Sequence, residues 1–471
     1  MSNLQNTGKK HYSYGYIWFL TVAAAMGGFL FGYDWVVVGG AKPFYEPFFG
    51  IGKDPAMQGW GTSSAMIGCM IGAFVCFLTT ERWGRKWLLA AAGLIFVVSA
   101  AGLAFCNTFF WYNVWRIVGG LSIGATLNLS PVYISEMVPP HIRGKFVSIN
   151  QLMINVGMLV CQTVNWSIAS AHDIGAAPET AEFIAGWNVQ TGWRWMFGAV
   201  AIPSVIFLIM MVLAPESVRW LVKNRQSRKA EEILSKIGGK EYAAAELKEI
   251  EETVAKEVPG MDFRALLQPR MLKILGLGFF VAMLQQWCGM NVTFYYAADI
   301  FTKAGYGVSD MMLQIVIIGG IAMLSVVATI LMVDRVGRKK LMLFGTASMT
   351  VIYGIIGFLF HQEISGLPVV IFVLLNVMAY QLTLAPIVWV ILSEIFPNRV
   401  RGAAMSLSAL VLWIGNFSLT YTFPSIKESI GWANNFWLYG GICLAGFVIL
   451  YFILPETKNK TLEQIEKELA G

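Results

Sequence analysis

Long apolar stretches, separated by short polar ones, run along the whole chain. Some twelve of them are long enough to cross about 30 Å of hydrocarbon as α-helices. Lipid offers no water to an open backbone, so each stretch is expected to be helical. The pattern therefore predicts an all-α membrane protein. Its twelve transmembrane helices are expected near residues 16–40, 60–80, 87–106, 111–132, 146–168, 193–214, 272–297, 312–333, 341–360, 368–392, 403–423 and 434–454.

Three short motifs occur twice in the same order, about 250 residues apart, a spacing that fits two multi-helix halves rather than a solenoid. The pairs are Glu81–Lys86 and Asp334–Lys339, Ser135–Gly144 and Ser393–Gly402, and Pro215–Ser217 and Pro455–Thr457. The repeat predicts two pseudo-symmetric halves of six helices each. The predicted segments are an N-terminal segment at 1–15, halves at 16–214 and 271–454, a linker at 215–270 and a tail at 455–471.

The linker is the longest polar segment of the chain. Its Lys, Glu and Ala residues recur at helical spacing, which predicts a few short amphipathic helices. Gly238-Gly239 and Pro259-Gly260 are the expected breaks. The linker is assigned no chemistry.

Composition and charge agree with a membrane protein. Charged residues make up 13% of the chain, against about a quarter in a soluble domain. Lys and Arg cluster in alternate loops, so the positive-inside rule predicts that these loops and both termini are cytoplasmic, in the plasma (inner) membrane. The first apolar run is long and contains Asp34, so it is expected to span rather than to be a cleaved signal peptide. The basic residues form no continuous patch, and no nucleic-acid partner is expected.

The six cysteines lie in or beside the predicted spans without metal-binding spacing. They are interpreted as small packing residues. No metal and no cofactor is expected.

Asp34 lies near the centre of the first predicted span. An acid there costs about 2.5–3.5 kcal/mol on insertion scales, so it needs a partner or a purpose. Arg116, in the fourth span, is the expected partner. Two interpretations remain open: the acid handles a proton, or the pair is a static brace between two helices. A movement that changes the distance between the two groups would change the proton affinity of Asp34, as coupling requires.

A second group of intramembrane residues is polar but uncharged. An amide offers a donor and an acceptor, which matches the dual character of a sugar hydroxyl, and a Trp can present a flat face to a sugar ring. Together they suit a neutral polyol; singly, each amide could instead join helices. The group comprises Gln285, Gln286 and Asn291 with Tyr295 and Tyr296, the amides Asn150, Gln151, Asn155, Gln162, Asn165 and Asn416, and the aromatics Trp389 and Trp413.

Glycines in two spans are candidate helix interruptions, which mark cargo sites in many transporters. They are Gly27-Gly28 with Gly32 in the first span and Gly289 in the seventh, and Gly32 and Gly289 are equivalent under the repeat. The alternative is that these glycines allow close helix packing.

Acids and bases also cluster in the repeated loop motifs, at the predicted cytoplasmic ends of helices. Such groups can form ion pairs that lock the halves together when an inner gate is shut. The alternative is that the arginines serve only to set the topology. The candidate gate residues are Glu81, Arg82, Arg85, Glu136, Arg143, Glu216, Arg219, Asp334, Arg335, Arg338, Glu394 and Arg401.

These motifs together resemble the sugar porters of the major facilitator superfamily over nearly the whole chain. The chain is most similar to the bacterial proton-coupled xylose symporters. The resemblance rests on Phe31-Gly32-Tyr33-Asp34, on both R-x-G-R loops, on Pro215-Glu216-Ser217-Val218-Arg219-Trp220-Leu221, on Gln285-Gln286 with Asn291 and Tyr295-Tyr296, on Ser393-Glu394-Ile395-Phe396-Pro397 and on Pro455-Glu456-Thr457-Lys458-Asn459-Lys460-Thr461.

The resemblance implies the major facilitator fold and alternating access around a central sugar site. An acid at Asp34 is the choice of a symporter, since the related uniporters carry an amide there. The implied sugar-binding residues are Gln151, Gln285, Gln286, Asn291, Tyr295 and Trp389, with Phe31 and Trp413 lining the same cavity, and the amide pattern adds Asn416.

Several positions depart from the family pattern. Met158 and Leu412 stand where the xylose symporters carry glutamines, which weakens the case for xylose. Val200 replaces an acid that some symporters carry, which leaves Asp34 as the main protonation candidate. Further departures are Phe77 and Glu81 in the first loop motif and Ala385 in the tenth span.

The expected function is secondary active import of a monosaccharide with a proton. The sugar could be a pentose such as D-xylose or a hexose such as glucose, and the functional unit is expected to be a monomer. A proton-independent facilitator and, less favoured, a sugar sensor on a transporter scaffold are the alternatives. An enzyme is not expected, because no catalytic constellation lies at a plausible pocket.

Overall fold

The computed structural model describes residues 12–173, 175–176, 180–255, 268–397, 400–458, 460 and 464; the side chains at 270, 330, 331, 333–335, 401 and 402 lie outside this description. The described chain is helical almost throughout. Its α-helices are α1 (Tyr14–Phe49), α2 (Pro55–Trp83), α3 (Arg85–Phe105), α4 (Phe109–Met137), α5 (Arg143–Ala171), α6 (Ala181–Ala185), α7 (Trp193–Gly198), α8 (Ala201–Leu213), α9 (Val218–Lys223), α10 (Ser227–Ala255), α11 (Pro269–Trp287), α12 (Met290–Tyr295), α13 (Ala297–Lys303), α14 (Val308–Val336), α15 (Arg338–His361), α16 (Leu367–Leu382), α17 (Leu384–Ile395) and α18 (Arg401–Ile453).

The described residues contain helical segments for twelve membrane crossings, as predicted. In the described part of the chain, eleven helical stretches are long and apolar enough to cross a membrane. The last of them, Ala403–Ile453, is 51 residues long and holds two crossings, because Gly431 breaks it with a φ of 80°. Large apolar side chains such as Phe105 and Phe452 are exposed on the outside of the bundle, where lipid would cover them.

Alternate ends of the spans lie on two opposite faces. The start of α1 contacts the linker, since Ser13 N donates to Ile237 O at 2.8 Å. We call this the linker face, and the other the far face. The linker forms α9 and α10, and α10 bends at Gly239 with a φ of 84°, as predicted for this glycine pair. The second expected break, Pro259-Gly260, lies outside the described residues.

Only one of the two predicted helix interruptions is present. Gly289 has a φ of 82° and separates α11 from α12, so the seventh span is broken. The first span is continuous through Gly27, Gly28 and Gly32, so an interruption there was wrong. A Cβ on Gly32 would collide with the carbonyl of Ile154. The packing alternative accounts for the first span, because Gly27 lets α1 approach α4 closely and Gly28 and Gly32 let it approach α5.

The two halves are in close contact toward the far face. A Cβ on Gly39 of α1 would collide with the carbonyl of Phe294, and one on Gly59 of α2 with the carbonyl of Tyr421. The hydroxyls of Ser170 and Ser309, at the far ends of α5 and α14, are 3.0 Å apart. These contacts hold the halves together on one side of the central cavity.

Candidate functional site

A cavity with about 90 Å³ of water-accessible space lies between the two halves. Helices of both halves contribute to it, and its lining mixes amides with aromatic and aliphatic groups. Pockets of this kind, apolar with a few convergent polar groups, are typical of small-molecule sites. The lining residues are Phe31, Trp35, Leu127, Gln151, Ile154, Asn155, Met158, Gln285, Gln286, Asn291, Tyr380, Gln381, Ala385, Trp389, Leu412, Trp413 and Asn416.

A chain of hydrogen bonds orders the amides on both sides of the break in the seventh span. Gln285 Nε2 donates to the carbonyls of Leu384 and Ala385, at 3.2 and 3.0 Å. Gln286 Nε2 donates to Gln285 Oε1 at 3.3 Å, and Asn291 Nδ2 donates to Gln286 Oε1 at 2.5 Å. The bend at Gly289 brings Asn291 back to Gln286, which a straight helix would not do for residues five positions apart. The break therefore builds the polar side of the cavity.

Asp34 and Arg116 form a buried ion pair beside this cavity. Arg116 Nη1 donates to Asp34 Oδ2 at 3.0 Å, and the two side chains are only 3% and 6% exposed. They line a second, smaller cavity with Thr62 and Tyr295. The partner predicted for Asp34 is thus the one the structure shows. A carboxylate this deeply buried depends on its cation, because removing one member of such a pair leaves an uncompensated charge.

Aromatic side chains separate the two cavities. Phe31, Trp35 and Trp413 line both of them. Phe31 and Trp35, one helical turn apart on α1, stack with ring centroids 5.6 Å apart and planes 8° from parallel. Trp413, from the other half, meets Phe31 edge-on at 6.4 Å. Together these three rings form an aromatic wall between the cavities. Asp34 lies between Phe31 and Trp35 in sequence, so the acid and two rings of the wall belong to the same helix.

Eight of the nine predicted sugar-site residues line the first cavity, and the ninth, Tyr295, lines the second. The sequence reasoning did not assign Trp35, Leu127, Ile154, Tyr380 or Gln381 to the site. A signal existed for Trp35, since it follows Asp34 directly and lies on the face of α1 that carries Phe31. Asn155 was identified as an intramembrane amide, and its place in the lining is a finding of the structure.

Comparison with known proteins identifies the family of this chain. A family model described as "Sugar (and other) transporter" matches residues 20–469. The chain belongs to this family. It is therefore a transporter and not an enzyme, and the resemblance seen in the motifs is confirmed.

Two relatives and one solved structure are similar to this sugar transporter over nearly its whole length. It is 36% identical to the arabinose-proton symporter of Bacillus subtilis, over 97% of this chain and 96% of the relative. It is 32% identical to the D-xylose-proton symporter of Escherichia coli, over 97% and 96%. The inward open structure of the xylose transporter XylE from E. coli matches with a TM-score of 0.83 and 31% identity, over 96% of this chain and 99% of that one.

The repeated loop motifs of this transporter meet within each half at the linker face. In the first half, Arg85 Nη2 contacts Glu136 at 3.0 Å and Glu81 at 3.4 Å. Ser217 Oγ donates to Glu136, and Glu216 Oε1 accepts from the backbone N–H groups of Arg85 and Lys86 at 2.9 and 3.1 Å. Burial raises the pKa of Glu216, and these N–H donors oppose the rise.

The second half repeats this cluster. Arg338 contacts Glu394 at 3.1 Å, the hydroxyl of Thr457 donates to Glu394, and Glu456 accepts from the backbone N–H of Arg338 at 2.9 Å. Glu136 thus pairs with Arg85 of another motif and not with Arg143 of its own motif. Each cluster joins three motifs of one half.

The remaining gate candidates fall into two groups. Arg82 and Arg143 are exposed and form no ion pair with any residue of the described chain, while Arg219 has a partner. The side chains of Asp334, Arg335 and Arg401 lie outside the described residues.

An ion-pair cluster that the sequence reasoning missed joins the halves at the far face. Lys42 Nζ, on a residue only 1% exposed, lies 2.8 Å from Asp299 Oδ2 and 3.1 Å from Glu46 Oε2. Lys427 Nζ is 3.8 Å from the same oxygen of Asp299. Lys42 and Glu46 belong to α1, Asp299 to α13 and Lys427 to α18. Two cations and two acids therefore bridge the first half to the second.

Proposed function

We propose that this transporter imports a monosaccharide, a pentose or a hexose, together with a proton by alternating access. The observation that carries the proposal is the position of the Asp34–Arg116 pair beside a cavity of neutral amides, with an aromatic wall common to both. A neutral polar cavity suits an uncharged sugar, and a buried acid suits a proton. The two relatives named for arabinose–proton and xylose–proton symport support the same pairing of substrates.

The sugar would bind between the halves. Gln151, Gln285, Gln286, Asn291 and Asn416 would contact its hydroxyls, and the rings of Phe31, Trp389 and Trp413 its apolar surface. A hydrogen bond to such a neutral group contributes about 0.5–1.5 kcal/mol, so several are needed for useful affinity. Tyr295 lies on the side of the acid and would contact the sugar only if the aromatic wall moved.

Protonation of Asp34 would weaken its ion pair with Arg116 and free α1 to move relative to α4. Because α1 also carries Phe31 and Trp35, that movement would reach the sugar cavity directly. One charge entering with each sugar draws about 2.3 kcal/mol from each 100 mV of membrane potential. This is the energy source for accumulation.

The linker face would be cytoplasmic, with both termini on that side of the plasma membrane, and one chain would suffice for transport. The alternating basic loops support this orientation. The ion pairs and close helix contacts at the far face support an inward-facing state, in agreement with the match to the inward open xylose transporter.

The test is accumulation of labelled L-arabinose, D-xylose and D-glucose by right-side-out vesicles that contain the protein, with and without a protonophore. Uphill uptake of at least one sugar that the protonophore abolishes is the expected result. Equilibration without accumulation would overturn proton coupling and favour the facilitator, in which the Asp34–Arg116 pair only braces two helices. No uptake of any sugar would overturn the substrate class.

A further inference from the structure

Most donors of the amide chain are already engaged by the protein. Gln285 Nε2 is held by two backbone carbonyls, and the amide nitrogens of Gln286 and Asn291 donate along the chain. Met158 and Leu412 add apolar surface to the same cavity where related symporters carry glutamines. Polar groups beyond the family set would therefore add to the recognition of the sugar.

Two polar atoms on residues lining the cavity are buried without a hydrogen-bond partner in the described chain: Trp35 Nε1 and Asn155 Oδ1. One is a donor and the other an acceptor. Buried polar groups are nearly always paired, so an exception needs an explanation, of which a functional role is one. A sugar hydroxyl both donates and accepts, and it could satisfy both atoms.

The packing of α1 against α5 holds the two residues near one another. Gly32 meets the carbonyl of Ile154 at the closest approach of these helices. Trp35 is one turn beyond Gly32 on α1, and Asn155 is adjacent to Ile154 on α5. Both residues therefore lie close in sequence to the α1–α5 contact, and both line the cavity.

Each side chain is also fixed in orientation. The indole of Trp35 stacks on Phe31 and leans on Phe294, both with centroids 5.6 Å away. Asn155 Nδ2 donates to the carbonyl of Gln151 at 3.0 Å, which leaves its oxygen as the free end of the amide. Ordered side chains with an unpaired hydrogen-bonding atom are suited to recognise the position of a hydroxyl, because they lose little conformational entropy on binding.

We propose that Trp35 and Asn155 are specificity-determining residues of the sugar site. Trp35 Nε1 donates to a sugar hydroxyl and Asn155 Oδ1 accepts from the same hydroxyl or its neighbour on the ring. This assignment rests on the proposed function, since it names two further contacts of the same site. The two contacts would also supply polar recognition that the apolar side chains of Met158 and Leu412 do not provide.

The experiment measures equilibrium binding to the purified full-length chain. The probes are L-arabinose, D-xylose and D-glucose, followed by the single-deoxy derivatives of the sugar that binds most tightly. Trp35→Phe keeps the stacked ring and removes the N–H, and Asn155→Leu keeps the approximate shape and removes the acceptor. The matched controls are Trp193→Phe and Asn165→Leu, which alter equally buried groups without a partner that do not line the cavity.

Each variant should bind the preferred sugar about threefold to tenfold more weakly, as expected for one lost hydrogen bond. One deoxy derivative should bind the wild type and the variant equally, because it lacks the hydroxyl in question. The controls should bind all sugars like the wild type. Trp35→Phe is a conservative change and tests the assignment even if Asn155→Leu does not fold.

Unchanged affinity of Trp35→Phe for every sugar would overturn the assignment. So would an equal loss for every deoxy derivative, which indicates a general distortion of the cavity. A wild-type chain that binds none of the sugars would overturn the proposed function, and this assignment with it. If the wild type binds sugar and the variants bind it equally well, only this assignment is overturned, and the proposed function stands.

Discussion

Lys42 Nζ lies 2.8 Å from Asp299 Oδ2, although the two residues are 257 positions apart and belong to different halves of the molecule. Glu46 and Lys427 complete the cluster, and the Lys42 ammonium also lies 5.1 Å from the centre of the Tyr296 ring. The linker-face clusters of Arg85 and Arg338, in contrast, each join loops of one half. In this conformation, therefore, the far-face cluster ties one half to the other.

Lys42→Met should destabilise the state that is closed at the far face. The change leaves the acids Glu46 and Asp299 near one another without their shared cation, and loss of one partner of a buried pair costs about 3–5 kcal/mol. The population should shift toward a state open at that face. Because all six native cysteines are buried, a Thr62→Cys probe can report the opening through a membrane-impermeant maleimide added from the far side.

Labelling of the Thr62→Cys probe should be at least about tenfold faster with Lys42→Met, since a loss of 1.4 kcal/mol already changes a population ratio tenfold. Lys303→Met, which removes an exposed lysine close to Asp299 in sequence, is the control and should leave the rate unchanged. An equal labelling rate in the Lys42→Met and wild-type backgrounds would show that the cluster does not hold this face closed.

Asp34→Asn should abolish accumulation of sugar while sugar exchange across the membrane persists. Asparagine keeps the size of the side chain but cannot carry a proton, and it leaves Arg116 without its counter-ion. Uphill uptake and counterflow in the same vesicles measure the two activities. Asp310→Asn, at an exposed acid in the first turn of α14, is the control. Normal accumulation by Asp34→Asn would remove this acid from the coupling mechanism.

The sequence predicted the spans well because burial in lipid leaves so few alternatives. Each apolar stretch must be helical, and the repeated motifs located both halves. It could not decide whether Gly32 or Gly289 breaks a helix, although the repeat makes them equivalent. At Gly32 a neighbouring carbonyl fills the space of a Cβ, while at Gly289 the backbone turns to a positive φ. The packing of neighbouring helices therefore determines which of the two glycines interrupts its helix.

The site was predictable where one segment carries its own chemistry, as Gln285 to Asn291 does. The Lys42–Asp299 pair was not, because it depends on how α1 and α13 meet across the halves. The pairing of Arg85 with Glu136 likewise links two motifs that lie 51 positions apart in the sequence. Long-range ion pairs depend on tertiary packing, which is difficult to predict from a single sequence.

Gln286→Ala should weaken sugar binding by about 1 kcal/mol or more, or roughly fivefold, if Gln286 contacts the sugar. The change also removes the acceptor of Asn291 Nδ2 and so loosens the amide chain. Equilibrium binding to purified protein is the measurement. The matched control is Gln162→Ala, a buried intramembrane glutamine that does not line the cavity. Equal affinity of Gln286→Ala and wild type would assign Gln286 to helix packing.

Glu216 and Glu456, equivalent acids of the two linker-face clusters, should respond oppositely to pH. Burial raises the pKa of Glu456, but the N–H groups of Lys458, Arg338, Lys339 and Thr457 lower it by more, so the net pKa lies below 4.5. An acid whose pKa falls on folding stabilises the fold above its unfolded pKa, and this contribution is lost as the pH falls. Burial dominates at Glu216, where the net pKa lies above 4.5. Its ionisation therefore disfavours the folded state as the pH rises.

The measurement is the melting temperature of Glu456→Gln and Glu216→Gln from about pH 7 to about pH 4. Since glutamine does not titrate, the stability advantage of the wild type over Glu456→Gln should shrink as the pH falls. Its advantage over Glu216→Gln should grow over the same range. Parallel trends for the two variants would contradict the inference that backbone donors prevail at Glu456 and desolvation at Glu216.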